Sequence, residues 1–135
     1  MLKSKPTVLV VEDLQETRQI LYQVLSLEYD VLQTNSIEEA VFFCTQVPID
    51  VVITDLNLEM SSFRTGFDLI LELKMIGFKG KTVAMTGYAY DLSENERKIL
   101  NTVDKFYEKP FSILDLMKWI NETLTIEQND QEDRR

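Results

Sequence analysis

Three acidic side chains stand directly after short runs of aliphatic and β-branched residues. Glu12 and Asp13 follow Thr7-Val8-Leu9-Val10-Val11, and Asp55 follows Asp50-Val51-Val52-Ile53-Thr54. Thr86 closes a similar run that begins at Thr82, and Lys109 follows Asp104 to Glu108. Carboxylates gathered on one edge repel one another unless something positive joins them. An oxygen-only set with few carboxylates suits Mg²⁺ better than Ca²⁺, and a Ca²⁺ loop is excluded because these acids lie far apart in sequence. A lysine and a hydroxyl add a point charge and a hydrogen-bond donor, the two things a phosphoryl group needs. A carboxylate such as Asp55 can serve as an acyl-phosphate nucleophile. Each residue also has an ordinary structural use: Asp13 as a helix cap, Thr86-Gly87 as a turn, Lys109-Pro110 as a strand exit. One shared site accounts for all of them at once.

Bringing these residues together requires particular elements. Thr7 to Val11 is short, β-branched and unalternating, which predicts a strand buried on both faces. A helix from Leu14 to Leu27 follows, with Leu14, Thr17, Ile20, Leu21, Val24 and Leu25 on one stripe and Asp13 as its N-cap. Asp30 to Gln33 is a weaker strand. Ser36 and Glu39 form a capping box for a second helix, with Pro48 just beyond its end. Val51 to Thr54 is the strongest strand, and a polar loop leads to a helix from Gly66 to Ile76, closed by Gly77 and Gly80. Thr82 to Thr86 is the fourth strand. Ser93 and Glu96 box a helix to about Asn101, Asp104 to Glu108 is a fifth strand, and the last helix runs from about Ser112 to Leu124. The polar, charged residues from Thr125 on read as a frayed tail. Five strand–helix units in alternation predict a doubly wound α/β fold with a parallel sheet covered on both faces. Sites in such sheets lie outside the carboxyl ends of the strands, where Glu12, Asp13, Asp55, Thr86 and Lys109 all fall.

Composition removes competing chemistries. The chain has 135 residues, one domain's worth, with 14 basic against 23 acidic side chains and a net charge of −9. That charge disfavours direct nucleic-acid binding. Without histidine there is no imidazole acid–base catalysis, no imidazole metal ligand and no internal phosphohistidine. One cysteine, Cys44, allows no internal disulfide and reads as a small core residue. The composition suits a cytoplasmic protein, Met1 to Pro6 reads as leading straight into a strand rather than as a signal peptide, and no apolar run is long enough for membrane insertion.

At this point the sequence resembles the receiver domain of two-component response regulators. The resemblance covers about Val8 to Ile120. It rests on Val8-Leu9-Val10-Val11-Glu12-Asp13, Val51-Val52-Ile53-Thr54-Asp55-Leu56, Val83-Ala84-Met85-Thr86-Gly87 and Phe106-Tyr107-Glu108-Lys109-Pro110-Phe111. It implies a five-stranded sheet in the flavodoxin-like order 2-1-3-4-5, a receiver over 5–124 and a polar tail over 125–135. By the same resemblance Asp55 is the phosphoacceptor. Glu12, Asp13, Asp55 and the backbone carbonyl of Asn57 hold Mg²⁺. Thr86 is the switch hydroxyl, Gly87 the small residue that leaves room, and Phe106 the aromatic switch. Lys109 pairs with the phosphate, and the Lys109-Pro110 bond is typically cis. The implied partners are a histidine kinase or histidine phosphotransfer protein, docking near Leu14, Gln15 and Arg18, and a downstream protein meeting the face formed by the fourth helix, fifth strand and fifth helix.

Two departures from the family pattern carry their own expectations. Two or three residues are inserted around Ser61-Ser62-Phe63-Arg64-Thr65, either as a tolerated loop or with Phe63 or Arg64 folded toward the site. Tyr88, two residues past Thr86, either slows loss of phosphate or faces solvent. With so little chain beyond the receiver, the expectation is a stand-alone regulator, with a segment of a larger regulator or hybrid kinase as the alternative. The chief rival chemistry is a carboxylate-nucleophile phosphatase. That class wants a second acid two residues past the nucleophile, where this chain has Asn57. A nucleotide or flavin binder lacks both a glycine-rich fingerprint and a phosphate-loop motif.

Overall fold

The structure is a computed structural model that describes residues 5–58, 65–87 and 92–133. Five strands alternate with five helices: β1 (Thr7–Val11), α1 (Gln15–Leu25), β2 (Asp30–Thr34), α2 (Ile37–Gln46), β3 (Val51–Asp55), α3 (Gly66–Met75), β4 (Lys81–Thr86), α4 (Glu94–Leu100), β5 (Lys105–Glu108) and α5 (Ile113–Asp133). The strands pair in parallel in the order β2-β1-β3-β4-β5, as the resemblance implied. The order reverses between β1 and β3, and this switch point leaves a crevice at the carboxyl ends of those two strands.

Strand side chains alternate between two cores, which is why β1 and β3 read as continuous apolar runs. Val8, Val10, Val51, Ile53, Val83 and Met85 face α1 and α5, packing on Leu21, Leu25, Leu116 and Ile120. Leu9, Val11 and Val52 face α2 and α3, against Ile37, Ala40, Leu69 and Leu73. A smaller cluster of Leu56, Phe67, Ile70 and Ala84 takes up Ile99, Leu100, Val103 and Phe106 beneath α4.

Helix ends mostly follow the capping chemistry. Ser36 Oγ accepts the Glu39 N–H at 3.2 Å, but the Ser36 N–H goes to Thr34 Oγ1 at 3.0 Å, so only half of the expected box forms there, whereas the Ser93–Glu96 box closes reciprocally at 3.1 and 2.9 Å. At the far end of α3, Gly77 takes a φ of 74°. The amides of Gly77 and Phe78 bond back to the carbonyls of Lys74 and Leu73 at 3.1 and 2.9 Å, a Schellman closure.

Three expectations need correction. Asp13 does not cap α1: the N-cap is Leu14, in extended conformation and without a side-chain cap. The Glu12 Oε1 instead accepts the N–H of the N-cap residue itself, Leu14, at 3.2 Å. Helix α1 stops at Leu25, two residues early, and leaves Leu27 exposed. The last helix does not stop near Leu124 but continues to Asp133. The segment after Thr125 offers no apolar stripe to recognise, yet glutamate and glutamine have good helix propensity, and a helix already nucleated propagates cheaply.

Candidate functional site

Each strand delivers its residue to one edge of the sheet. Val11 ends the β1–β3 ladder opposite Thr54, so Glu12 and Asp55 leave neighbouring strands together. On the other side Leu56 N–H bonds to Met85 O at 2.9 Å, and Lys109 N–H to Thr86 O at 2.8 Å. These bonds carry the register past β3, β4 and β5 and place Lys109 beside Thr86. The Lys109-Pro110 peptide is cis.

At the centre, Lys109 Nζ lies 2.5 Å from Asp55 Oδ2 and 3.2 Å from Glu12 Oε2. Glu12 is fully buried and Asp55 is 4% exposed. Burial, the adjacent Asp55 charge and a hydrogen bond with Asp55 push the Glu12 carboxyl up from 4.5 to about 7, although Lys109 and the Leu14 amide oppose the shift. Burial acts to lower Lys109, but its hydrogen bonds and charge pairing with Asp55 and Glu12 prevail and raise it. The ammonium is thus held charged beside Asp55 and the Glu12 carboxyl.

Asp55 is oriented from its other oxygen as well, since Oδ1 accepts the Asn57 N–H at 2.8 Å. The Asn57 side chain reaches across to β4, its Nδ2 donating to Thr86 Oγ1 at 3.2 Å. Sequence reasoning singled out only the Asn57 carbonyl; no pattern announces a side-chain bond across 29 residues. A Cβ at Gly66 would lie 2.2 Å from Asp55 O and 2.7 Å from Leu56 Cα, so only glycine lets α3 approach this end of β3. A Cβ at Gly87 would meet nothing within 4 Å among the described residues.

The acidic turn has a brace of its own. Arg18 Nη1 donates to Glu12 O at 2.9 Å and to Asp13 O at 3.4 Å, while its Nε donates to Gln33 Oε1 at 3.3 Å. Of the three α1 residues expected on a docking surface, Leu14 and Gln15 are exposed, whereas Arg18 is half-buried with its guanidinium committed to this turn. Gln33 was not legible as a site residue, because nothing distinguishes a lone glutamine on a weak strand.

The structure therefore brings Glu12, Asp55, Asn57, Thr86 and Lys109 together, with the half-buried Asp13 on the same turn. Among the described residues no three acidic, cysteine or histidine side chains are grouped so as to hold a metal ion. Phe106 stands opposite Ala84 in the β4–β5 register and packs in the cluster under α4, one strand from Thr86. Cys44 is half-buried, its thiol pushed up to about 11 by burial, in keeping with a packing residue. Ser61, Ser62, Phe63, Arg64, Tyr88 and Tyr90 lie outside the described residues, so the expectations for the inserted loop and for Tyr88 do too. Among the described residues no helix is long and apolar enough to cross a membrane.

Comparison with known proteins agrees with this fold. A response regulator receiver domain protein (CheY-like) from Methanospirillum hungatei JF-1 superposes with a TM-score of 0.80 at 22% identity, over 94% of this chain and 99% of that one. The signal receiver domain of an HD domain-containing protein from Pseudomonas fluorescens Pf-5 gives 0.79 at 18% identity, over 98% and 96%. A receiver domain protein from Clostridium thermocellum gives 0.77 at 25%, over 91% and 97%. No curated protein matches the chain. The family model of the response regulator receiver domain matches residues 8–121, and the chain belongs to that family of two-component signalling domains.

Proposed function

We propose that the chain accepts a phosphoryl group on Asp55 from a phosphohistidine on another protein. The observation that carries this reading is the single ammonium of Lys109 bonded to two buried carboxylates at the switch point of the sheet. In the transfer, an Asp55 carboxylate oxygen attacks phosphorus. A P–O bond forms as the P–N bond breaks, and the electron pair returns to the donor imidazole. Lys109, already in contact with Asp55, follows the charge from carboxylate to phosphoryl oxygen, so catalysis is largely positioning and electrostatics.

The donor set fits Mg²⁺. Glu12, Asp13, Asp55 and the Asn57 carbonyl offer only oxygen, and an open set suits an ion that keeps several waters and uses one or two carboxylates. When bound there, such an ion would supply positive charge to offset the phosphoryl oxygens. Among this chain's own residues, Thr86 then donates to the new phosphoryl oxygens. To do so its hydroxyl leaves Asn57 Nδ2, and Gly87 leaves room for the move. Phe106, under α4, takes the vacated space and alters the α4–β5–α5 face for a downstream protein.

The working unit of this reading is residues 5–124, and it catalyses only its own phosphorylation and dephosphorylation. In this reading a histidine kinase or histidine phosphotransfer protein docks near Leu14, Gln15 and Arg18, where Leu14 and Gln15 are exposed, and an apolar cavity of about 380 Å³ lined by Ile20, Leu21, Met85, Lys109, Phe111 and Ile113 opens beside the site. Incubation with Mg²⁺ and a small acyl-phosphate donor, followed by intact mass, tests the proposal. One phosphoryl group, stable to acid and lost in base, is expected on the wild type and none on Asp55→Asn. Continuous phosphate release with no phosphoprotein would instead favour a carboxylate-nucleophile phosphatase.

A further inference from the structure

We infer that Arg18 is a positioning residue for the acidic turn, itself oriented by Gln33, and that this pair sets the affinity of the site for its divalent cation. The inference rests on the metal-site reading above. Sheet pairing of β1 ends at Val11, opposite Thr34 and Thr54, so the carbonyls of Glu12 and Asp13 lie beyond the ladder. Helix α1 cannot hold the turn by a side-chain cap, because Leu14 occupies the N-cap. Arg18, one turn into the helix, reaches back instead. Its Nη1 bridges the two carbonyls at 2.9 and 3.4 Å, fixing the peptide planes on either side of the Asp13 Cα.

Gln33 completes the brace. It stands opposite Val10 in the β1–β2 register, on the sheet face that α1 covers, and its Oε1 accepts from Arg18 Nε at 3.3 Å. A guanidinium carries its donors in a rigid plane, so fixing Nε also fixes the direction of Nη1. The bonds run to backbone carbonyls, and the charge of Arg18 offsets the acidic turn while the Glu12 carboxylate keeps its own contacts with Leu14 and Lys109. An ammonium at position 18 has the charge but not the fork. Partners that orient ligands from behind typically contribute 10–100-fold to metal affinity.

The test is titration of the unphosphorylated protein with MgCl₂, followed by amide chemical shifts, with urea unfolding in EDTA measured beside it. Arg18→Ala and Gln33→Met are each expected to weaken Mg²⁺ binding by about tenfold. Arg18→Lys is expected not to rescue it, and the Arg18→Ala/Gln33→Met pair to bind no more weakly than Arg18→Ala alone. Gln33→Met keeps the size of the side chain and serves if Arg18→Ala does not fold. Wild-type affinity in Arg18→Lys, or additive losses in the double variant, would overturn the inference while leaving the metal site standing. A wild type that binds no Mg²⁺ would overturn the metal-site reading, and this inference with it.

Discussion

Glu12 holds its proton in the folded chain up to about pH 7, whereas it ordinarily gives it up near 4.5. Across that window the folded state binds more protons than the unfolded one, so stability falls as pH rises through it. In the absence of divalent cations the protein is expected to be more stable at pH 5 than at pH 7.5, by about 2 kcal/mol from this group. Urea unfolding in EDTA at the two pH values measures it, and Glu12→Gln should flatten the difference; a rise in stability toward pH 7.5 that is unchanged in Glu12→Gln would refute it. At this scale the sequence was informative where a residue's type and its place after a strand spoke together, as for Glu12, Asp55 and Lys109. It was silent where a role depends on a partner far along the chain. Gln33 reaches Arg18 across 15 residues and Asn57 reaches Thr86 across 29, and no local pattern encodes either bond.

Helix α3 shows how an element serves the site without contributing a reactive group. Gly66 opens it against the end of β3, where a Cβ would collide with the Asp55 carbonyl and the Leu56 backbone. Neither can yield as a side-chain tip could. Gly66→Ala should therefore destabilise the protein by roughly 1–3 kcal/mol by forcing α3 away from β3, and should slow phosphorylation of Asp55 by displacing it. The same change at Gly87, where a Cβ meets no described atom, should leave stability near that of the wild type. Thermal unfolding of the two variants makes the comparison, and equal losses would contradict the close approach at Gly66. Strand positions were readable from burial on both faces, and the Ser93–Glu96 box from its spacing. The cap of α1 was misread because the helix begins one residue later than expected, with the apolar Leu14 at its N-cap. The end of α5 was missed because its final residues carry helix propensity but no apolar stripe.

On the scale of the whole molecule, periodicity established five strand–helix units but not their order. A strand buried on both faces looks the same in any central position, and the order 2-1-3-4-5 was implied only by resemblance to a family. The long-range ties that close the fold were equally invisible. Tyr29 Oη lies 2.7 Å from Asn121 Oδ1 and 3.1 Å from Met117 O, joining the α1–β2 turn to α5 across about 90 positions of sequence. The order matters because it puts β1 beside β3 and so Glu12 beside Asp55, with β5 bringing Lys109 to both. The central claim, that this convergence makes Asp55 a phosphoacceptor, has a direct chemical test. After treatment with Mg²⁺ and a small acyl-phosphate donor, borohydride reduction converts an aspartyl phosphate to homoserine, which peptide sequencing by mass spectrometry then locates. Homoserine at position 55 and nowhere else is the expected result; homoserine at another position, or none in a protein that has taken up phosphate, would contradict it.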